Sequence, residues 1–175
     1  MIELRPFGNE HFDGLIAIVP TEATLVEWCG AYFRFPLDHA QLERYVETAR
    51  QPSVRTIFAA EAPDTGVVGH VEISHIWPHL SSRLSRVLIA PGHRRRGIGT
   101  QMVLQALSLS FREHHVAHID LGVSARNASA IGCYRKIGFK PVGTWPNAMA
   151  AGSHIIDVRW MSLTRRAWQK REDVR

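Results

Sequence analysis

The sequence predicts an α/β domain built on a mixed, mostly antiparallel central sheet flanked by helices, and three observations carry that prediction. The turn signature Pro63-Asp64-Thr65-Gly66 joins two runs rich in strand formers, which reads as a hairpin. The β-branched run Val87-Leu88-Ile89 passes through glycines into an apolar helical stretch that begins at Ile98. The order of elements is strand, helices, hairpin, then strand–helix–strand–helix–strand–strand, which is not a repeating βαβ array.

Taken in order, Ile2–Phe7 reads as a short first strand. Asn9 then looks like the N-cap of a helix running to about Val19. Thr21–Ala31 reads as a second helix, and its Trp28 leads into the aromatic stretch Tyr32, Phe33 and Phe35 before Pro36. Asp38 with Gln41 resembles a capping box that opens a helix to about Arg50. Ile57–Glu61 and Val67–Trp77 form the hairpin, and Arg83–Ala90 is the next strand. The helix from Ile98 to about His114 is apolar on more than one face, which predicts deep burial. His118–Ser124 is a strand, and Asn127–Ile137 is a short helix ended by Gly138. Lys140–Trp145 and His154–Leu163 complete the sheet. Residues 1–165 make a single domain in this reading, and 166–175 are a basic, solvated C-terminal tail.

Composition narrows the class. At 175 residues the chain can bury a proper core, and 45% hydrophobic content argues against disorder. A formal charge of +5 suits an anionic ligand. Nucleic-acid binding is not expected, because no recognition-helix or stacking motif accompanies the charge. Two cysteines, Cys29 and Cys133, imply no disulfide framework. The charged N-terminus has no signal-peptide core, and no apolar run is long enough to span a bilayer, so a cytoplasmic location is expected. Among the ten histidines, His114-His115-x-x-His118 lacks the H-E-x-x-H order, and no metal site is expected.

The chemistry concentrates in Arg94-Arg95-Arg96-Gly97-Ile98-Gly99-Thr100. The first N–H groups of a helix have no intrahelical partner, and the helix dipole adds positive charge there. Glycines let an anion come close to the backbone, and three arginines add charge, so this turn reads as a diphosphate seat. It is not a Walker A loop, since Ile98 stands where the lysine belongs. A dinucleotide fingerprint would need a third glycine where Met102 stands. In the next helix Asn127, Ala130 and Tyr134 are spaced i, i+3, i+7 and share one face. Asn127 can cap, Ala130 is small enough to let a chain pass, and Tyr134 offers a phenol further along that face. A linear cofactor could lie on this stripe.

The segment from Val87 to Thr100 resembles the acetyl-CoA motif of the GNAT superfamily of N-acetyltransferases. Asn127–Phe139 is similar to that superfamily's N-x-x-A-x-x-x-Y-x-x-x-G-F element. The aromatic Trp28–Pro36 region followed by Asp38–Tyr45 looks most like the branch near the ribosomal-protein N-terminal acetyltransferases. The resemblance implies acetyl-CoA as co-substrate and direct attack by a primary amine, or a peptide N-terminus, in a ternary complex. It implies diphosphate binding by the backbone of Arg95–Thr100 and pantetheine pairing with Val87, Leu88 and Ile89. A main-chain N–H at Leu88 or Ile89 would polarise the thioester, and Tyr134 would protonate the departing thiolate.

Some relatives carry a basic glutamate where Gly122 stands here. Glu72 is the first substitute as base and His75 the second, followed by a water relay, an amine arriving neutral, or Asp120. Trp28, Tyr32 and Phe33 are expected to line the acceptor site, and specificity is expected in Thr21–Arg50 and the 145–154 loop. An exposed late strand could pair two subunits into a homodimer. The alternative is a non-catalytic module of the same fold that senses CoA or a nucleotide, favoured by the missing glutamate.

Overall fold

The computed structural model describes residues 1–49, 55–76, 81–113, 116–151 and 154–173. The expected helix end at Arg50, strand end at Trp77 and the His114-His115 pair lie outside the described residues. Strand β1 (Glu3–Pro6) is followed by one 3₁₀ turn (Asn9–His11), then helices α1 (Phe12–Ala17), α2 (Glu22–Cys29) and α3 (His39–Glu47). Next come β2 (Arg55–Ala62), β3 (Gly66–Ile76), β4 (Ser81–Ile89) and α4 (Ile98–Glu113). The chain ends with β5 (His118–Ser124), α5 (Ala128–Ile137), β6 (Lys140–Ala151), β7 (His154–Thr164) and α6 (Arg165–Glu172).

These seven strands form one sheet in the order β1-β2-β3-β4-β5-β7-β6. Only the β4–β5 pair is parallel, so the sheet is mixed and mostly antiparallel as expected. One face carries α1–α3, where Phe12, Leu15, Leu25, Trp28, Leu42 and Tyr45 pack on Ile57, Ala59 and Leu88. The other face carries α4, whose Met102, Val103, Ala106 and Leu107 meet Val71, Ile73 and Leu84, in one core with Ile131 and Tyr134 of α5.

The caps explain where the helices begin. Thr21 Oγ1 accepts from the Thr24 N–H, Asp38 Oδ1 from the Gln41 N–H, and Asn127 Oδ1 from the Ala130 N–H. Asp38 and Gln41 make only half of the expected capping box. The Gln41 amide donates to the carbonyls of Arg34 and Pro36 instead, and so pins the aromatic loop.

Four sequence expectations need correction. Asn9 does not cap the first helix: the preceding turn uses an extended Gly8, whose N–H donates to His11 Nδ1 at 3.0 Å, and α1 starts at Phe12. That helix also stops at Ala17, short of Val19. Strand β6 does not end at Trp145; it resumes pairing at Met149 after an irregularity where Asn147 takes φ +53°. The basic C-terminal stretch is not a solvated tail. Trp168 of α6 is 4% exposed and stacks on Phe111 at 5.6 Å, which docks the helix on the core.

Candidate active site

The site begins with a break in register. Strands β3 and β4 pair regularly from Ile76↔Ser81 to Glu72↔Ser85, and again from His70↔Leu88. Between them one β3 residue, Val71, faces two on β4, Arg86 and Val87, which is a β-bulge. Arg86 takes φ +47°, a left-handed conformation costly for a non-glycine residue. Two side chains hold it there. Trp28 Nε1 donates to the Arg86 carbonyl at 2.8 Å, and His70 Nδ1 lies 2.9 Å from the same oxygen. Because a carbonyl only accepts, Nδ1 carries the His70 proton. Complete burial lowers the His70 pKa to about 4, so the ring is neutral.

Just before the bulge, after Leu84, β4 leaves β5. Their pairing covers only Ser81–Leu84 against His118–Leu121. The Ala90 N–H donates to the Val68 carbonyl, so the strand alternation turns the backbone groups of Leu88 toward β3. Those of Val87 and Ile89 point into the gap. Arg94 Nε reaches the Ile89 carbonyl there at 3.0 Å.

Two cavities meet at this gap. The first, of about 280 Å³, runs along Val87, Leu88 and Ile89 to Arg94, Arg95, Gly97, Gly99 and Thr100, then down Asn127, Ala130 and Tyr134. The second, of about 350 Å³, lies between Arg83–Val87 of β4, Gly122–Ser124 of β5, the β6–β7 hairpin and the end of α2. Both are lined by Glu27, Trp28, Val87, Asn127, Ala130 and Tyr134. Glu27 Oε1 accepts from Asn127 Nδ2 at 3.2 Å, bridging α2 and α5 across their junction.

The first cavity suits an extended anionic ligand. Arg95 at φ +63° and Gly97 at φ +79° turn the chain into α4, so that N–H groups converge at its mouth. A Cβ at Gly97 would meet nothing within 4 Å, which leaves that side open to a bulky phosphate. Arg96 and Ile98 do not line the cavity. Arg96 is exposed, and Ile98 packs against the core. Tyr134 stands where both cavities open, and burial raises its pKa, so its hydroxyl keeps its proton.

The two candidate bases point to opposite faces of β3, as their three-residue spacing requires. His75 lies on the α4 face beside Ala106 and Ser110, with Nδ1 2.9 Å from Ser82 Oγ. Glu72 is on the α1–α3 face and is 1% exposed. Tyr45 and Ser74 each donate a hydroxyl to it at 2.6 Å, Arg86 lies at 3.2 Å and Arg55 at 3.6 Å. Neither residue lines the two cavities. Asp120 pairs with His118 at 3.3 Å. Of the expected acceptor aromatics, Trp28 lines the junction, whereas Tyr32 and Phe33 line a separate hollow over α3 with Tyr45. A Cβ at Gly122 would press on Val158 at 3.0 Å and touch Trp160 at 3.5 Å, so Val158 leaves little room for a side chain there. Sequence reasoning missed Glu27, His70, Arg83 and Arg86, whose roles come from partners 14 to 100 residues away.

A mixed sheet splayed at a bulge, with an anion seat at the following helix, defines an acyl-CoA-type transferase. Residues 22–139 match the family described as acetyltransferase (GNAT), and the chain belongs to that family of acetyltransferases, whose acetyl donor is acetyl-CoA.

Streptothricin acetyltransferase from Streptomyces lavendulae is 33% identical over 82 residues, which are 47% of this chain and 43% of that protein. The match thus spans less than half of that relative's length. Spermidine N(1)-acetyltransferase from Vibrio cholerae serotype O1 is 26% identical over 66% of this chain and 67% of its own. Among solved structures, the spermidine N-acetyltransferase of Vibrio cholerae in complex with CoA and spermine superposes with a TM-score of 0.81 at 20% identity, covering 96% of this chain and 98% of that one. The ribosomal-protein-alanine N-acetyltransferase of Brucella melitensis gives 0.77 at 21%, covering 93% and 99%. At these identities the structures establish the shared fold alone. Among the described residues no helix is long and apolar enough to cross a membrane, and no cluster of three or more His, Cys, Asp or Glu could hold a metal ion.

Proposed function

We propose that the protein acetylates a primary amine, holding acetyl-CoA and acceptor together in the two joined cavities. The observation that carries this reading is their shared wall: Tyr134 of α5 and Val87 of β4 line both chambers, together with Glu27, Trp28, Asn127 and Ala130. Acetyl-CoA supplies an activated thioester. The N–H groups of Arg95–Thr100 and the side chains of Arg94 and Arg95 hold its diphosphate. Val87 and Ile89 offer outward backbone groups to its pantetheine. Of the two amides first considered for the thioester oxygen, Ile89 is assigned, since Leu88 is turned to β3.

The acceptor nitrogen attacks the thioester carbon from the second chamber. As the C–N bond forms, the Ile89 N–H stabilises the developing oxyanion. The C–S bond then breaks, and Tyr134 gives its proton to the sulfur. The attacking nitrogen loses its extra proton to water in the open acceptor chamber, and water returns one to Tyr134. We assign the base role to neither Glu72, which is held by three hydrogen bonds and an ion pair to Arg55, nor His75, which faces away. Glu72 is instead a positioning residue that anchors Arg86 at the bulge.

The test combines acetyl-CoA binding, read as an upward shift in melting temperature, with thiol release on adding amines. A shift together with thiol release is the expected result. A shift with no release from any amine would favour the sensor module, and no shift would remove the acetyl-CoA assignment.

A further inference from the structure

The geometry points to an acceptor that carries a carboxylate as well as its amine, held by Arg83 in the second cavity. This rests on the acetyl-transfer reading and names the substrate class it acts on. The walls of the acceptor chamber mix polar and apolar groups, the apolar and aromatic part including Trp28, Met149, Val158 and Trp160. Its charged lining is Glu27, Arg83 and Arg86. Glu27 accepts one hydrogen bond from the neutral Asn127 amide and keeps its charge, whereas Arg86 is bound to Glu72 with its guanidinium 3.9 Å from the Tyr32 ring centroid.

Arg83 differs from both. Its guanidinium lies 4.9 Å from the Trp160 ring centroid, and among the described residues no carboxylate pairs with it. Asp120 stands opposite it in the β4–β5 register, yet that carboxylate contacts His118. Arg83 is exposed, and a guanidinium edge with no carboxylate partner matches the two oxygens of a carboxylate. Trp160 holds the group in place and covers Gly122, so the charge sits beside the position from which relatives supply a base.

The same lining disfavours polycations. A polyamine carries several ammonium groups that each need a carboxylate or carbonyl partner, whereas this chamber sets one carboxylate, Glu27, against two guanidinium groups, Arg83 and Arg86. An exposed guanidinium beside Met149, Val158 and Trp160 suits an amino acid or an amino-acid-like amine with an apolar body.

The experiment compares 4-(aminomethyl)benzoate, 4-(aminomethyl)benzamide and spermidine as acceptors by thiol release with the full-length protein and acetyl-CoA. A hydrogen-bonded charge pair predicts about ten- to hundredfold higher kcat/KM for the carboxylate than for the amide, expressed mainly in KM. Spermidine is expected to be slower than the carboxylate. Arg83→Gln is expected to bring the carboxylate-to-amide ratio to about one, and Arg83→Lys to retain part of it. The melting shift with acetyl-CoA checks that each variant is folded.

Equal kcat/KM for carboxylate and amide, or spermidine as the fastest of the three, would overturn the proposal while leaving acetyl transfer intact. A melting shift without thiol release from any amine overturns both readings.

Discussion

Trp28 donates its indole N–H to the Arg86 carbonyl at 2.8 Å, joining α2 to the β4 bulge across 58 residues of sequence. The bulge opens the sheet and is strained at φ +47°, so this bond maintains the gap in which both cavities end. Trp28→Phe removes the donor together with part of a buried ring system. A loss of about 2–3 kcal/mol in urea stability is expected. A larger proportional fall in thiol release should accompany it, because the gap loses its definition.

His70 makes stability depend on pH. Its folded pKa of about 4 lies below the ordinary 6.5, so between those values the unfolded chain takes up a proton that the folded one refuses. The stabilisation is complete above about pH 6.5 and is lost as pH falls toward 4, amounting to about 3 kcal/mol. Urea midpoints measured at pH 7.5 and 4.5 should therefore differ more for the native chain than for His70→Gln.

Tyr134→Phe tests the proton donor. General acid catalysis contributes about a hundredfold or more, so kcat should fall by that order. Acetyl-CoA affinity, read by titration, should change by no more than a few-fold. An unchanged kcat removes Tyr134 from the chemistry.

Glu72→Gln separates an anchor from a base. It leaves Arg55 and Arg86 without a buried counter-charge, a loss of about 3–5 kcal/mol. The pH–rate profile of the surviving activity should keep its shape. Loss of one limb of the profile would show that Glu72 titrates in catalysis.

Trp168→Ala should cost about 3–5 kcal/mol, because a nearly buried indole leaves its place on Phe111 empty. Removal of residues 166–175 should lower the melting temperature comparably. A truncated chain as stable as the native one would show that α6 contributes nothing to the core.

The elements most legible in the sequence were those set by local chemistry. Asn127 and Asp38 cap their helices because a short polar side chain two or three residues before an apolar run has few other uses. The glycine turn before α4 was equally readable. What escaped was imposed from a distance. Nothing local marks Arg86 for a left-handed backbone, since Trp28 and His70 hold it there. Glu72 and His75 had to lie on opposite faces, but which face held the cavities depended on where α4 packed. In the C-terminal stretch the run of basic residues concealed a single anchoring tryptophan.

The party wall between the two chambers limits how such a molecule can change its tastes. Any replacement at Glu27, Val87 or Ala130 alters donor grip and acceptor choice together, so most variants there should fail on one count while improving on the other. Residues that border only the acceptor side, such as Met149 and Ile156, are free of that conflict. New preferences should therefore arise first along the β6–β7 hairpin.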